Sequence, residues 1–540
     1  TVFYALAKRY GGAPLVTKVI NYPAEQSALE VPRASEEETW DQILADYDKA
    51  AELLLPKSLL TGYSNKYVAL AFKSEAMLYA GSVAKYNESF TDRLTGLGQK
   101  TGVRVMGFAA DRWQAASIKY FSEAYKAARE VMANGGYSLY KKKWSATDRE
   151  AQYQNMVDMF SDITSPENIY IKEYVYPTMT HGHDAYNEPF IFKTATDNSK
   201  TCPTLDFVEL FDGFERYPDG TIKVTTGNSN TEGAYVLYDT PLKFFENAEP
   251  RLRAYVIFPG DMFRNREIEI RAGIYTGSTP ISPLLSDYSY AAATTGYDKS
   301  TAGDALLLSQ TNMPLPITLS NGKVMTPAGE NGPFQGDGVS AITGLYGRKW
   351  LKNDPSFISA EGKSDQPFVL MRYAEVLLNA AEAGVELALA GAPSPTGDDM
   401  LQVATDAIKD IRERAGAVQL TSLLTSDEAS RNIVRKERRK ELAFEYKALW
   451  DLRRWRAQHE EGRDYFWGEY RDKAKFSNGS SYRFRGLYPF YSSEADKYFF
   501  DARFNFPAQK EFGYSSIDYY FAIPGGEVTK SSVIDQQPNR

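Results

Sequence analysis

The stretch Ile433–Gln458, IVRKERRKELAFEYKALWDLRRWRAQ, limits most sharply what this chain can fold into. It holds no Gly or Pro and consists mostly of good helix formers, so the composition predicts one helix over 433–458. Glu437, Glu441 and Glu445 recur every fourth residue and would lie along one side of it. Leu442, Phe444, Leu449, Leu452 and Trp455 supply an apolar stripe, and Arg435, Arg438, Arg439, Arg453, Arg454 and Arg456 crowd the flanks. A solvated helix has no use for a row of Glu beside large aromatics. The expectation is a buried helix whose carboxylates are met by Arg from its own or neighbouring turns, because an unpaired buried charge costs several kcal/mol.

With 540 residues the chain can bury a large core, as two or three domains or as one large helical body. A net charge of −8 argues against a nucleic-acid surface, which needs a basic stripe. A single cysteine, Cys202, excludes an internal disulfide and a thiolate zinc site. No apolar run approaches the ~20 residues of a membrane helix, and no signal peptide is visible. Val2, Phe3, Leu6, Ala7 and Tyr10 read as the last turns of a helix, ended by Gly11-Gly12 and Pro14 and preceded by no cap. The natural chain is therefore expected to begin earlier, which makes the missing targeting signal uninformative.

Helical spacing recurs over Glu37–Leu55, Tyr67–Tyr86 and Asp111–Asn134. Within these, Ile43, Tyr47 and Ala50 echo Ser117, Phe121 and Ala124, the pattern of the second helix of a tetratricopeptide repeat. Asn168–Tyr176 alternates like a strand and leads into the polar, aromatic loop PTMTHGHDAYNEPF. From Thr194 to Pro367 the texture is Gly, Pro, Asn, Thr and Tyr with short apolar runs, too long for one loop and so expected to pack as a subdomain. Helices are expected again over Phe368–Leu389, Asp398–Ala415 and Asp427–Gln458. The tail from Tyr465 reads as irregular, with a strand at Tyr519-Tyr520-Phe521.

Lys8–Thr17 (KRYGGAPLVT), Arg372–Ala383 (RYAEVLLNAAEA), Ile411–Gly416 (IRERAG) and Glu437–Trp455 (ERRKELAFEYKALWDLRRW), in this order, resemble segments of the SusD/RagB family. Lys8–Thr17 is similar to its YGGVPL segment. Gly62–Tyr79, Pro203–Asp212, Glu249–Gly260 and Gly344–Lys349 match further landmarks. Arg372–Ala383, Ile411–Gly416 and Glu437–Trp455 are close to its signatures, the last being the most specific. Phe521–Pro538 is similar to the closing IP…QNPG, from which Gln537-Pro538-Asn539 departs.

The resemblance implies a mainly α fold in which tetratricopeptide-like helix pairs support an irregular, loop-rich binding subdomain with short strands. On that reading residues 1–164 are an N-terminal helical part truncated at its start, and 165–367 the binding subdomain. Residues 368–460 are the C-terminal helices, and 461–540 an irregular aromatic segment packed on the body. The family implies a lipoprotein on the outer membrane, exposed at the cell surface and held by an N-terminal lipid anchor absent from this chain. Its function would be to bind a glycan and deliver it to a SusC-like TonB-dependent transporter. Capture of peptide, as in RagB-like members, is the alternative within the family.

Two constellations invite chemistry. Glu441 and Glu445 meet the carboxyl spacing of a glycosidase, ~5–9.5 Å, and would serve an all-helical polysaccharide-degrading enzyme. One helix face offers no cleft between them, so ion-paired scaffold is the preferred reading and no catalytic residue is assigned. His181 and His183, two apart with Asp184 beside them, would suit a metal, but only three His exist and no HExxH or Cys cluster supports one. Ligand contact is preferred there: Tyr176, His181, His183, Asp184, Tyr186 and Asn187 offer flat rings for a sugar face and partners for its hydroxyls. Tyr288 and Tyr290 in the Ser/Thr/Tyr-rich insertion are further candidates. No cofactor or metal is expected, and the sequence assigns calcium to no residue.

Overall fold

The computed structural model describes residues 2–20, 30–57, 63–87, 94–194, 199, 201–284, 298–299, 305–308, 316–333, 340–457, 481–483, 485–504, 511–513, 516–538 and 540. Helix α1 (Val2–Tyr10) stops at Gly11, whose φ of +72° places its N–H on Ala7 O at 2.9 Å. Helix α2 (Glu36–Leu53) opens on a reciprocal cap: the Glu38 N–H donates to Ser35 Oγ and the Ser35 N–H to Glu38 Oε2. Asn65 caps α3 (Lys66–Lys85), which is buried almost all round. Helix α4 (Trp113–Asn134) lies against it so closely that a Cβ on Gly81 would stand 2.7 Å from the Phe121 ring. Helix α5 (Arg149–Met159) then leads into the middle of the chain.

The second half of the frame is α6 (Tyr373–Leu389), α7 (Met400–Ala415), α8 (Glu428–Glu441) and α9 (Ala448–Arg454). Asp399 starts α7, and Gly416, at φ +67°, ends it. Helix α3 packs on α2 and α4, α6 on α4, and α7 and α8 on α6, so early and late helices form one body. Ile43, Tyr47, Phe121 and Ala124 of the repeat-like pattern all pack in a core with Trp40, Tyr79 and Leu387. The fold is mainly helical, as the family resemblance implies.

Three expectations need correction. Residues 368–372 are not helical: β5 (Phe368–Arg372) pairs antiparallel with β1 (Asn168–Lys172), Ile171 opposite Val369 and Tyr170 opposite Met371. Val369 and Met371 are buried while Phe368 and Leu370 are half-covered, the period of two that a strand imposes. The tail is not irregular either: β6 (Arg485–Ser492) and β7 (Lys497–Phe504) form a long hairpin. Its first strand is buried on both faces, so the polar alternation that announces a half-exposed strand is missing. With β2 (Gly273–Tyr275), β3 (Asp298–Lys299) and β4 (Leu306–Leu308) it makes a sheet of order β7-β6-β2-β4-β3. Lastly, Ser516–Tyr519 is a 3-10 turn rather than a strand, and the Tyr520 hydroxyl donates to Glu36 Oε2 at 2.8 Å.

Gly344, at φ +81°, seats its loop against β6; a Cβ there would stand 1.9 Å from Leu487 O. We expect Gly344→Ala to cost about 1–3 kcal/mol in urea unfolding. Gly322→Ala, with similar φ and open space around it, should cost only the backbone strain, about 1 kcal/mol.

The carboxylates of the Glu row are paired, but by other elements. Arg251 donates to Glu249 at 2.6 Å, Glu437 at 2.7 Å and Glu441 at 2.6 Å. Arg372 donates to Glu167 and Glu441, both at 2.6 Å, and to Glu445 at 2.7 Å. Arg414 joins Glu167 at 2.7 Å and also Glu441. Arg435, Arg438 and Arg454 turn the other way, to Glu386 at 2.9 Å, Asp451 at 2.8 Å and Glu382 at 2.6 Å respectively. A buried charge web thus ties the middle of the chain to the late helices.

Candidate functional site

The predicted helix 433–458 is interrupted, and the interruption builds the site. Helix α8 ends at Glu441, and Phe444 (φ 61°) and Tyr446 (φ 60°) adopt the left-handed region before α9 begins. Donors from elsewhere take the carbonyls that a continuing helix would have used. Glu441 O accepts from Tyr255 Oη (2.9 Å) and Arg372 Nη2 (2.8 Å), Ala443 O from Lys349 Nζ (2.7 Å), and Phe444 O from Trp350 Nε1 (2.8 Å). The turn swings Glu445 inward onto Lys349 at 2.6 Å and leaves Tyr446 77% exposed.

Beside this turn lies a cleft of about 690 Å³. Trp350, Phe368 and Tyr446 form one wall as a run of rings, with centroids 5.0 Å apart between Trp350 and Phe368 and 5.6 Å between Phe368 and Tyr446. The run passes from a buried indole to an open phenol. Phe207 and Phe444, 5.2 Å apart, stand behind it, and Thr201 and Thr204 add hydroxyls. Trp350 is itself left-handed, at φ 71°. Three bulky aromatics in this strained conformation, at about 1–3 kcal/mol each, line one cleft, and such strain gathers where a surface must be held ready for a ligand. Burial pulls the Lys349 ammonium down to about 8, against the opposing pull of Glu445. Its Nζ lies 4.2 Å from the Phe160 ring centroid and 4.1 Å from that of Tyr255.

The loop singled out by sequence meets this cleft in part. His181 and His183 line it. His181 Nε2 is 3.0 Å from Gln366 O, which can only accept, and Nδ1 accepts from the His183 N–H at 3.2 Å, so the ring is the neutral Nε2–H tautomer. Burial pushes His183 below its ordinary 6.5. Asp184 is buried beneath the cleft, 3.0 Å from Arg264 Nη2, and accepts from the Lys352 N–H at 2.8 Å. Asn187 is also turned inward, donating to His183 O at 2.9 Å and accepting from Thr201 Oγ1 at 2.7 Å. The Tyr186 ring packs on Gly182, and Tyr176 is 55% exposed outside the cleft lining. Tyr288, Tyr290 and His459 lie outside the described residues.

Sequence reasoning missed Lys349, Trp350, Phe368 and Tyr446, which lie on segments read as loop or helix and are joined only by tertiary contacts. Glu441 and Glu445 are both buried in ion pairs and absent from the cleft lining. Among the described residues no group of three His, Cys, Asp or Glu is placed to hold a metal ion. No described helix is long and apolar enough to cross a membrane.

No curated protein matches this chain. Among solved structures, it is similar to a SusD-like protein from Bacteroides fragilis, with 22% identity and a TM-score of 0.55 over 100% of this chain and 77% of that one. A second from the same species, described as a SusD-like carbohydrate binding protein, gives 18% identity and a TM-score of 0.53 over 98% and 76%. At these identities the likeness shows a shared fold. The profile of the SusD family matches residues 166–539, well over half of the sequence, and the chain therefore belongs to the SusD family.

Proposed function

We propose that this protein is a non-enzymatic, cell-surface glycan-binding lipoprotein of the outer membrane that captures oligo- or polysaccharide and passes it to a SusC-like TonB-dependent transporter. The observation that carries the binding reading is the ring wall Trp350–Phe368–Tyr446, its two end rings held by left-handed backbone, at the mouth of a cleft of about 690 Å³. A sugar ring offers such a wall an apolar face, while Thr201, Thr204 and His183 supply partners for hydroxyls. The non-enzymatic reading is supported by the burial of both candidate acids in Arg pairs. Delivery and anchoring rest on family membership.

Affinity gels containing candidate polysaccharides, with peptides titrated in parallel, test this. Retardation by at least one glycan is expected. Binding of peptide with no glycan retained would move the protein to the peptide-capturing branch, and release of reducing ends would make it an enzyme. Tyr446→Ala should weaken glycan retention about tenfold, as loss of an exposed aromatic anchor does. Its thermal midpoint should stay unchanged, because the ring is mostly solvated.

A further inference from the structure

We propose that a second cleft, built around Tyr153, holds a neutral, hydroxyl-bearing sugar and gives the protein a second contact on a long glycan. This rests on the glycan-binding reading above and adds a place and a ligand charge to it.

The second cleft has a volume of about 700 Å³, within the range of small-molecule sites. The start of α5 lines it on one side, and the 3-10 turn Pro241–Phe245 with the short helix Pro250–Tyr255 on the other. Leu242, Phe245, Pro250 and Phe258 supply its apolar surface. Segment 348–350 touches both clefts. Lys349 and Trp350 line the first, while Arg348 Cζ lies 5.5 Å from the Tyr153 ring centroid in the second and Arg348 Nε donates to Arg253 O at 3.0 Å.

Tyr153 is the group that calls for a ligand. Only 6% of it is exposed, and Arg253 Cζ stands 4.2 Å from its ring centroid. Its hydroxyl nevertheless makes no hydrogen bond to any described residue. A phenol can both donate and accept, and one so nearly enclosed gains most from a partner that enters the cleft.

The charged lining is already in balance, with three acidic and three basic side chains among the described residues. Asp148 accepts from the Glu150 N–H at 2.9 Å and the Ala151 N–H at 3.1 Å. Arg149 Nη2 donates to Asn247 O at 3.1 Å and Ala248 O at 2.5 Å. Arg253 meets Glu150 at 2.6 Å and Asp261 at 2.9 Å, and Lys243 pairs with Glu246. A charged ligand would have to draw one of these groups from its partner. A sugar hydroxyl need displace nothing, since a carboxylate and a guanidinium each have more hydrogen-bond positions than these contacts fill. The apolar surface then receives the C–H face of the sugar, and the Tyr153 hydroxyl one of its oxygens.

The test uses the full chain with neutral gluco-, galacto-, manno- and xylo-oligosaccharides of increasing length and their parent polysaccharides. In the presence of a retained polysaccharide, hydrogen exchange should slow at residues 147–150 and 240–246 as well as at 443–449. Tyr153→Phe removes only the hydroxyl, which bonds nothing in the described protein, so its thermal midpoint should match the parent. That variant should lose the protection at 147–150 and 240–246 and keep it at 443–449. Its affinity for the polysaccharide should fall about fivefold, the loss of one neutral hydrogen bond. Protection confined to 443–449, or undiminished polysaccharide affinity in Tyr153→Phe, would overturn the second site and leave capture at the ring wall standing. Protection at 147–150 and 240–246 by uronate-containing glycans alone would overturn its preference for a neutral sugar. Failure to retain any glycan would overturn both readings.

Discussion

Replacing Glu441 by alanine should lower the unfolding free energy by about 3–5 kcal/mol, the cost of breaking a buried ion cluster from one side. The carboxylate is fully buried and contacts three guanidinium groups at once: Arg251 and Arg372 at 2.6 Å each, and Arg414. Without it the three cations crowd a dry interior, with only Glu249 and Glu437, Glu167, and Glu445 left to balance them. Glu441→Gln keeps an acceptor but not the charge and should fall between alanine and the parent. Urea unfolding reads this as a shift of midpoint at unchanged slope. An unchanged midpoint for Glu441→Ala would mean that the cluster does not hold the frame together.

The second large effect is acid lability. Burial would raise the Glu382 carboxyl, but Arg454 and Arg435 outweigh it and hold the group at about 2. Against an ordinary value of 4.5 this is a depressed folded-state pKa, so its stabilisation is complete above pH 4.5 and is lost as pH falls towards 2. The shift corresponds to about 3 kcal/mol. Glu437 and Glu441 are displaced in the same direction, burial being overcome by Arg251 for the first and by Arg414 and Arg372 for the second. Glu375 opposes them: burial, incompletely offset by Lys447, raises it to about 7, so it withdraws stability as pH rises from 4.5 through 7. Urea midpoints should therefore drop steeply between pH 4.5 and 2.5. Glu382→Gln should start lower at pH 7 and show a shallower fall, and a slope equal to that of the parent would refute the assignment.

The helical frame was legible because its signals are local. Ser35 with Glu38, Asn65, Asp399 and Gly416 mark helix ends by residue type, and Ile43, Tyr47, Phe121 and Ala124 recur at helical spacing. The Glu row also announced buried pairing, although its partners came from Arg251, Arg372, Arg412 and Arg414 and not from its own turns. The cleft was legible only at His181 and His183. Its ring wall depends on the break after Glu441, and nothing between Leu442 and Lys447 is a Gly or Pro. The break is enforced by Tyr255, Lys349, Trp350 and Arg372, far away in sequence. The β6–β7 hairpin escaped for the opposite reason, since β6 is buried on both faces and lacks a polar rhythm to read.

Arg372 is the last residue of β5 and the cap of α6, and its guanidinium reaches Glu167, Glu441 and Glu445 together. One side chain therefore serves as a rivet through the cleft wall and its support. Neither half can be excised intact: a fragment ending before it would carry Arg251 and Lys349 with no counterions from the late helices, and the remainder would keep only Arg372, Arg412 and Arg414 among the partners of Glu437, Glu441 and Glu445. The cleft wall and the helices behind it therefore share one set of charges, so a change of charge on either side of the joint is felt on both.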